Sequence, residues 1–253
     1  MNIQPVHGHP ALRIDNAIVV ADLHIGVESH MGSKGFHIAS RTAVMRDDLL
    51  NIAGDATRLV VLGDVKDSVP GSTKQEYREI PDFFRAMLER FDIVDVVIGN
   101  HDTRIEDFLP KHVNVRPATG FKIGDAGLVH GHTWPSADVM ASGVLITAHN
   151  HPVVMFRDGI GKRMTEQCWF RAPFTDIESN YLQRPNEMIM IPSFNKLLGG
   201  SPVNVAEEGF LGPLMNSGMI DIDEAQIFLL DGILLGKRKD ILVKGKDRSA
   251  YKN

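Results

Sequence analysis

Five short motifs rich in aspartate, histidine and asparagine each follow an apolar run of strand length. The motifs are Asp22-Leu23-His24, Gly63-Asp64, Gly99-Asn100-His101-Asp102, His130-Gly131-His132 and His149-Asn150-His151. Carboxylate, amide and imidazole groups together suit Mn, Fe, Zn or Co better than Ca or Cu(I). The motifs therefore predict a metal site that is assembled from several parts of the chain.

The candidate ligands are numerous enough for two ions that share one carboxylate. They are Asp22, His24, Asp64, Asn100, His130, His149 and His151. Two cations ~3.5–4 Å apart are the usual apparatus for in-line attack on phosphorus. One such motif alone is common in turns and helix caps, but five motifs placed after five apolar runs are hard to explain as turn residues. The spacing thus favours phosphoester hydrolysis.

The apolar runs before the motifs predict the elements that position them. These runs cover residues 18–21, 59–62, 93–98, 127–129 and 144–148. Continuous Val, Ile and Leu residues indicate strands that are buried on both faces in a layered α/β fold. Ligands of open α/β sheets bind at the carboxyl ends of the strands, where these motifs stand. Helical spacing of apolar residues over 38–52 and 77–91 predicts helices between the strands.

The second part of the chain has a more β-rich pattern. Strands are predicted over 153–156, 167–170, 188–191, 225–230 and 233–235, with Asp231-Gly232 as a hairpin turn between the last two. Residues 194–221 form a long loop whose course the pattern does not indicate. No linker composition divides the chain, so we predict a single domain over 1–253 with a basic C-terminal tail over about 236–253.

Composition excludes several classes of protein. No run of ~18 apolar residues occurs, so no membrane span is expected. The N-terminal residues lack the pattern of a secretory signal, and the single cysteine, Cys168, rules out an internal disulfide framework. These features predict a cytoplasmic protein.

Charge is unevenly distributed along the chain. The net charge is −5, and the segment 236–253 carries seven Lys or Arg residues against two Asp residues, which leaves −10 on the rest. An acidic body does not attract nucleic acid by bulk electrostatics, although bound divalent cations reverse the local sign. The basic segment is either a solvated end or a contact for nucleic acid.

The order of the motifs resembles that of the calcineurin-like metallophosphoesterases. The matching elements are Asp-x-His, Gly-Asp-x-x-Asp, Gly-Asn-His-Asp, His-Gly and His-x-His. The resemblance implies an α/β fold, a four-layer αββα sandwich. Residues 21–28, 63–66, 149–152 and 191–195 are similar to the branch of predicted phosphoesterases related to SbcD-type nucleases, which includes the bacterial DNA-ligase-associated phosphoesterase. The similarity covers roughly residues 1–205.

The resemblance implies two metal sites and a catalytic histidine. One ion would bind Asp22, His24, Asp64 and His151, and the other would bind Asp64, Asn100, His130 and His149. Mn²⁺ is the expected metal, with Fe, Zn, Co and Ni as alternatives. His101 would protonate the leaving group, with its ring fixed by Asp102 or by a backbone carbonyl.

Two positions depart from the pattern of the family or branch, and neither removes a ligand. Ala148 stands where the family has glycine before the last His-x-His, and Asp67 stands where the branch usually has histidine. Four further residues near the motifs are candidates for substrate binding. They are Glu28, Lys66, Arg104 and His132.

We therefore predict a binuclear metal-dependent phosphoesterase that cleaves phosphodiesters, with DNA, RNA or nucleotides as substrates, by attack of a metal-bridging hydroxide. A phosphomonoesterase or a small-molecule phosphodiesterase is the alternative, and a non-catalytic scaffold is the remote one. No membrane partner is expected. The sequence leaves the oligomeric state open, with a homodimer among the options.

Overall fold

The computed structural model describes residues 1–33, 35–36 and 38–243. Its first sheet has six strands, and their order in the sheet is the order along the chain. They are β1 (Ile3–Pro5), β2 (Leu12–Ile14), β3 (Ala17–Val20), β4 (Arg58–Val61), β5 (Ile93–Val97) and β6 (Val113–Arg116). Strands β3 to β6 run parallel, so their carboxyl ends meet at one edge. These strands include the first three predicted apolar runs.

The second sheet contains nine strands. They are β7 (Phe121–Ile123), β8 (Ala126–Leu128), β9 (Val144–Thr147), β10 (Pro152–Arg157), β11 (Arg163–Pro173), β12 (Glu187–Met190), β13 (Ser201–Pro202), β14 (Gln226–Leu229) and β15 (Leu234–Lys237). The order is β13-β10-β11-β12-β9-β8-β7, and β14 pairs with both β11 and β15. Strand β11 is longer than predicted because its first half pairs with β10 and its second half pairs with β12 and β14.

Within the described ranges, four α-helices accompany the sheets. They are α1 (Val27–Ser33), α2 (Thr42–Ile52), α3 (Lys74–Arg90) and α4 (Ala137–Met140). Helix α3 begins at a capping box, in which the Thr73 hydroxyl accepts from the Glu76 amide and the Glu76 carboxylate accepts from the Thr73 amide. The predicted helix over 38–52 begins only at Thr42. No helix of the described residues is long and apolar enough to cross a membrane.

Three apolar clusters separate four layers. The first lies between α2, α3 and the first sheet, with Leu49, Phe83 and Phe84 among its members. The second lies between the two sheets and contains residues of both, such as Val60 and Ile146. The third covers the outer face of the second sheet. The prediction of a four-layer α/β sandwich is thus confirmed.

The fourth layer is less helical than the first. It consists of the four-residue α4 and of side chains from the irregular segment 203–222, including Leu214, Met219 and Ile220, which are buried against the sheet. The residues predicted as a long loop therefore contribute a layer of the core. Their apolar side chains lack a regular period, so the sequence pattern did not indicate this packing.

The first part of the predicted basic tail belongs to the folded structure. Lys237 ends β15 and pairs with Glu224 at 2.5 Å, and Lys239 pairs with the same carboxylate. Arg238 is buried, where it donates to the Val203 carbonyl (2.7 Å) and pairs with Asp223 (2.6 Å). These three cations are thus neutralised within the fold. Residues 244–253 lie outside the described residues.

Candidate metal centre

The five motifs lie at the carboxyl ends of β3, β4, β5, β8 and β9, and backbone hydrogen bonds join neighbouring motifs. The Asp22 amide donates to the Gly63 carbonyl (3.1 Å), and the His24 amide donates to the Asp64 carbonyl (2.9 Å). The His130 ring, which follows β8 in the second sheet, bonds through Nδ1 to the Leu62 carbonyl at the end of β4 (2.8 Å). The two sheets therefore deliver their motifs to one place.

Five candidate ligands have a left-handed backbone conformation. Their φ angles are 55° for Asp22, 40° for His24, 51° for Asp64, 69° for His149 and 45° for His151. Residues other than glycine rarely adopt this conformation, which costs about 1–3 kcal/mol per residue and is concentrated at functional sites. The chain thus turns sharply where each of these side chains enters the cluster, and the surrounding structure maintains the turn.

One ligand cluster consists of Asp22, His24, Asp64 and His151, whose ligand atoms all lie within 4.8 Å of one another. His24 Nε2 is 3.5 Å from Asp64 Oδ2, and His151 Nε2 is 3.4 Å from Asp22 Oδ1. Both Asp22 oxygens and the Nε2 atoms of His24 and His151 are buried and have no hydrogen-bond partner among the described residues. Buried polar atoms without partners are costly, so this donor set fits a divalent cation.

A second cluster shares Asp64 with the first and adds His130 and His149. His130 Nε2 is 3.4 Å from Asp64 Oδ2 and 3.2 Å from Asn100 Oδ1. The His130 and His149 ring centroids are 5.0 Å apart. The structure thus brings together all seven residues predicted as ligands, in two groups joined by Asp64.

His101 lies at the edge of the first cluster and has one ring nitrogen in use. Its Nδ1 is 2.6 Å from the carbonyl oxygen of Asp67, and its backbone amide donates to Asp64 Oδ1 at 2.9 Å. The His101 ring centroid is 4.7 Å from that of His24. Because a carbonyl only accepts, Nδ1 carries a proton, and Nε2 is left to exchange a proton with a ligand.

No protein-family model matches the sequence, and no curated protein matches it. Among solved structures, the chain is similar to the nuclease MPE of Pseudomonas putida, with 18% sequence identity and a TM-score of 0.53. That similarity covers 90% of this chain and 96% of the other chain. The chain has the calcineurin-like metallophosphoesterase fold.

Weaker similarities extend to two other solved structures. One is YfcE, a phosphoesterase from E. coli, with 15% identity, a TM-score of 0.41 and coverage of 87% of this chain and 97% of the other chain. The other is wild-type Vps29 from Entamoeba histolytica in complex with Zn²⁺, with 18% identity, a TM-score of 0.33 and coverage of 74% and 81%.

Asp102 does not orient the His101 ring, contrary to one of the two predicted arrangements. Its carboxylate is buried and accepts from the backbone amides of Val65 (2.8 Å), Lys66 (3.3 Å) and Gly99 (2.9 Å). It therefore fastens the loop after β4 to the loop after β5. Burial and the nearby charge of Asp64 raise the pKa of Asp102 to about 6.

Lys66 is not placed to bind a phosphate, contrary to its predicted role. Its side chain is buried, and its ammonium group donates to the carbonyls of Ser68 (2.5 Å) and Gly71 (3.0 Å). The lysine instead holds the loop that carries Asp67. The position of a residue next to a motif indicates that it lies near the site, but it does not indicate which way its side chain points in a loop.

Glu28 is likewise engaged within the protein. Its carboxylate is buried and accepts from the Arg41 amide (2.7 Å) and from Gln75 Nε2 (3.0 Å). It thereby joins α1 to the residues before α2 and to α3. Glu28 was predicted to bind substrate, but in the structure its carboxylate connects helices instead.

His132 and Arg104 have different surroundings. The His132 ring centroid is 5.3 Å from that of His130, and its buried Nδ1 has no hydrogen-bond partner among the described residues. Burial and the positive charge of His130 lower the pKa of His132. Arg104 is largely exposed and pairs with Asp107 at 2.8 Å. Their substrate-binding roles stay predictions.

Two histidines of the ligand clusters have raised pKa values. Burial opposes the protonation of His24, but Asp64, Asp67 and Asp22 outweigh it and raise its pKa to about 10. Burial opposes the protonation of His130 as well, and Asp64 and Asp22 raise its pKa to about 9. Because both imidazolium groups surround Asp64, the pKa of that carboxyl stays well below its usual range despite burial. Protonated histidines thus balance the carboxylates that a metal ion would otherwise bind.

The pKa of His149 is shifted in the opposite direction. Burial and the neighbouring charge of His130 lower the pKa of His149 to about 4. Its imidazole is therefore neutral at neutral pH, which is the form that binds metals.

Two positions that sequence reasoning did not single out as functional shape the site. Asp67 Oδ1 is 3.1 Å from His24 Nδ1, so it orients the ring whose other nitrogen faces Asp64. At Gly99, an added Cβ would lie 2.2 Å from Asp64 Oδ1, so only glycine leaves room for that carboxylate. The Gly-Asp-x-x-Asp spacing contained the signal for Asp67, and the Gly-Asn-His-Asp motif contained that for Gly99.

Proposed function

We propose that this protein is a metal-dependent phosphoesterase that binds two divalent cations and cleaves phosphodiesters. One observation carries the proposal: buried ligand atoms of Asp22, His24 and His151 have no hydrogen-bond partner in the part of the chain that the structure describes, and they lie beside the shared carboxylate of Asp64. One ion would be held by Asp22, His24, Asp64 and His151. The other would be held by Asp64, Asn100, His130 and His149.

Mn²⁺ is the proposed metal, with Fe, Zn, Co and Ni as alternatives, because the donor set mixes carboxylate, amide and imidazole. Divalent cations at such a centre lower the pKa of water and offset charge on the phosphoryl oxygens. Asp67 supports this donor set by fixing the His24 ring, as carboxylates do for many metal-binding histidines.

His101 is the proposed general acid. Its Nδ1 proton is donated to the Asp67 carbonyl, so the imidazolium form carries its second proton on Nε2. That proton would be transferred to the oxygen of the leaving group as the ester bond breaks. The Asp64 carboxylate does not compete for this proton, because it accepts from the His101 backbone amide and not from the ring.

Nucleic acids or nucleotides are the proposed substrates. The motif resemblance to the SbcD-related branch supports this choice, and the fold is similar to that of a Pseudomonas nuclease. The acidic composition of the chain means that cations bound at the centre must attract the phosphate. We also propose a reducing, cytoplasmic setting, because the sequence has a single cysteine and therefore no internal disulfide.

A paired assay tests the proposed reaction. The Mn²⁺-loaded protein is given bis(p-nitrophenyl) phosphate and p-nitrophenyl phosphate at equal concentrations, and then single-stranded DNA and RNA. We expect faster turnover of the diester and cleavage of a nucleic acid. Preference for the monoester would instead establish a phosphomonoesterase. Bound metal without turnover of either ester would establish a scaffold.

A further inference from the structure

A cavity of about 510 Å³ is lined on one side by Trp134, which follows the His130-Gly131-His132 motif by two residues. The volume is in the range of sites for small organic ligands. Two consecutive residues extend the chain by at most about 7 Å, and the His132 ring centroid is 5.3 Å from that of His130. This wall of the cavity therefore begins close to the second ligand cluster.

A second lining residue, Met219, belongs to a segment that also contacts the loops of the metal-binding motifs. Leu211 exchanges two hydrogen bonds with the side chain of Asn150, at 2.7 and 3.2 Å. An added Cβ at Gly212 would lie 2.2 Å from the Gly131 carbonyl oxygen, so these two segments are in contact. The same segment continues to Met219, which lines the cavity. Two independent stretches of chain thus connect the cavity with the metal centre.

The walls of the cavity are fastened to each other. The Tyr181 hydroxyl donates to the Pro135 carbonyl at 2.7 Å, which ties the Trp134 loop to the segment after β11. Thr175 joins that segment to the other wall, since its amide donates to the Met219 carbonyl (2.9 Å) and its hydroxyl donates to the Gly218 carbonyl (2.9 Å). Hydrogen bonds therefore join the chain segments that line the cavity.

The chemistry of the lining indicates an uncharged aromatic ligand. Trp134 is 44% exposed, and its ring centroid is 6.3 Å from that of Tyr181. Among the described residues, the lining contains no Lys, Arg or His and includes the acidic residue Glu178, so it offers no cation to a phosphate group. Ser179 and Asn180 are polar members of the lining. An aromatic face beside such groups suits a ring with hydrogen-bonding edges, as a nucleobase has.

We propose that this cavity binds a nucleobase of the substrate, stacked on Trp134, while the adjacent phosphodiester lies at the metal centre. The inference rests on the proposed function, because it assigns the substrate class of the same site. It also explains how an acidic protein retains a nucleic acid: the cations bind the phosphate, and the cavity binds the base.

Two p-nitrophenyl diesters test the assignment because they share a leaving group and differ in the nucleoside. One is the p-nitrophenyl ester of thymidine 5′-phosphate, and the other is methyl p-nitrophenyl phosphate. We expect wild-type protein to prefer the nucleoside ester in kcat/KM, and Trp134→Ala to reduce this preference by about tenfold. Trp134→Phe retains an aromatic face and should keep most of it. Tyr77→Ala removes another exposed aromatic side chain, on α3, and should leave the preference unchanged.

Tryptophan fluorescence gives a readout that needs no catalysis. The sequence has two tryptophans, and Trp169 is buried, so a quencher in solution reports mainly on Trp134. Thymidine should quench the metal-free protein saturably, and deoxyribose should not. Saturable quenching without hydrolysis of either ester would reject the proposed function and retain the nucleobase site. Hydrolysis of both esters, with no quenching and an unchanged preference in Trp134→Ala, would reject the site alone.

Discussion

Asp67 supports two histidines of the site through different atoms. Its side chain faces His24 Nδ1 at 3.1 Å, and its carbonyl oxygen faces His101 Nδ1 at 2.6 Å. Substitution of the Asp67 side chain therefore removes only the contact with His24, because the backbone carbonyl that faces His101 remains in every variant.

Asp67→Ala should weaken Mn²⁺ binding by about 10–100-fold, the usual effect of losing a carboxylate behind a metal-bound histidine. The His101 contact should persist, so kcat at saturating Mn²⁺ should fall much less than the affinity. Competition with a chelator measures the affinity, and Asp107→Ala, which changes an exposed carboxylate outside both ligand clusters, is the control. Equal affinities in Asp67→Ala and wild type would show that Asp67 does not support the metal.

His101→Asn should lower kcat by about 10²–10⁴-fold and leave the metal content unchanged, because a general acid is removed and no ligand is lost. The loss should be smaller for p-nitrophenyl esters than for alkyl esters, since nitrophenolate leaves without a proton. Metal analysis and kinetics on both kinds of ester provide the test. A lost metal equivalent would make His101 a ligand, and equal losses on both esters would contradict its role as an acid.

At the scale of elements, the sequence was most informative where strands end. Runs of Val, Ile and Leu are long enough to indicate buried strands, and the polar residue after each run must lie at the sheet edge. The directions of Lys66, Glu28 and Asp102 were not predictable, because loop side chains have no period that relates sequence to direction. The layer formed by 203–222 was missed for the same reason.

The loop after β4 provides a prediction of its own, because Lys66 holds it through two carbonyls. Lys66→Met should destabilise the protein by about 1–3 kcal/mol, since two partly buried hydrogen bonds from a charged donor are lost. Arg104→Ala, with its exposed ion pair, should change stability by less than about 0.5 kcal/mol. Urea denaturation measures both variants. Full stability in Lys66→Met, together with weaker inhibition by inorganic phosphate, would instead support the original prediction of a phosphate contact.

At the scale of the whole molecule, both sheets contribute to the core between them, and both contribute to the candidate metal centre. We therefore propose that the described residues behave as one unit, as the composition predicted. The site links the two sheets, because His130 follows a strand of one sheet and bonds to a carbonyl of the other.

The charge balance at this interface depends on pH. The folded-state pKa values of His24 and His130, about 10 and about 9, exceed the ordinary histidine value. Their contribution to the stability of the metal-free protein is therefore fully present below about pH 6.5, and it is lost as the pH rises through 9 to 10.

Metal ions bind neutral imidazole, so loading the centre near pH 7.5 should release about one to two protons per chain. The affinity for Mn²⁺ should therefore increase between about pH 6.5 and 9. Calorimetric titrations in two buffers with different ionisation enthalpies count the protons. Titrations that give the same heat in both buffers would show that these histidines are already neutral in the metal-free protein.

The central claim is a pair of metal sites joined by Asp64, and metal analysis of wild type and Asp64→Asn tests it most directly. Both proteins are loaded with Mn²⁺, freed of excess metal and analysed for metal per chain, with Asp107→Ala as an exposed control. The account predicts two equivalents in wild type and in the control, and a loss from both sites in Asp64→Asn, because the shared ligand loses its charge. A single equivalent in wild type, or two equivalents retained in Asp64→Asn, would contradict it.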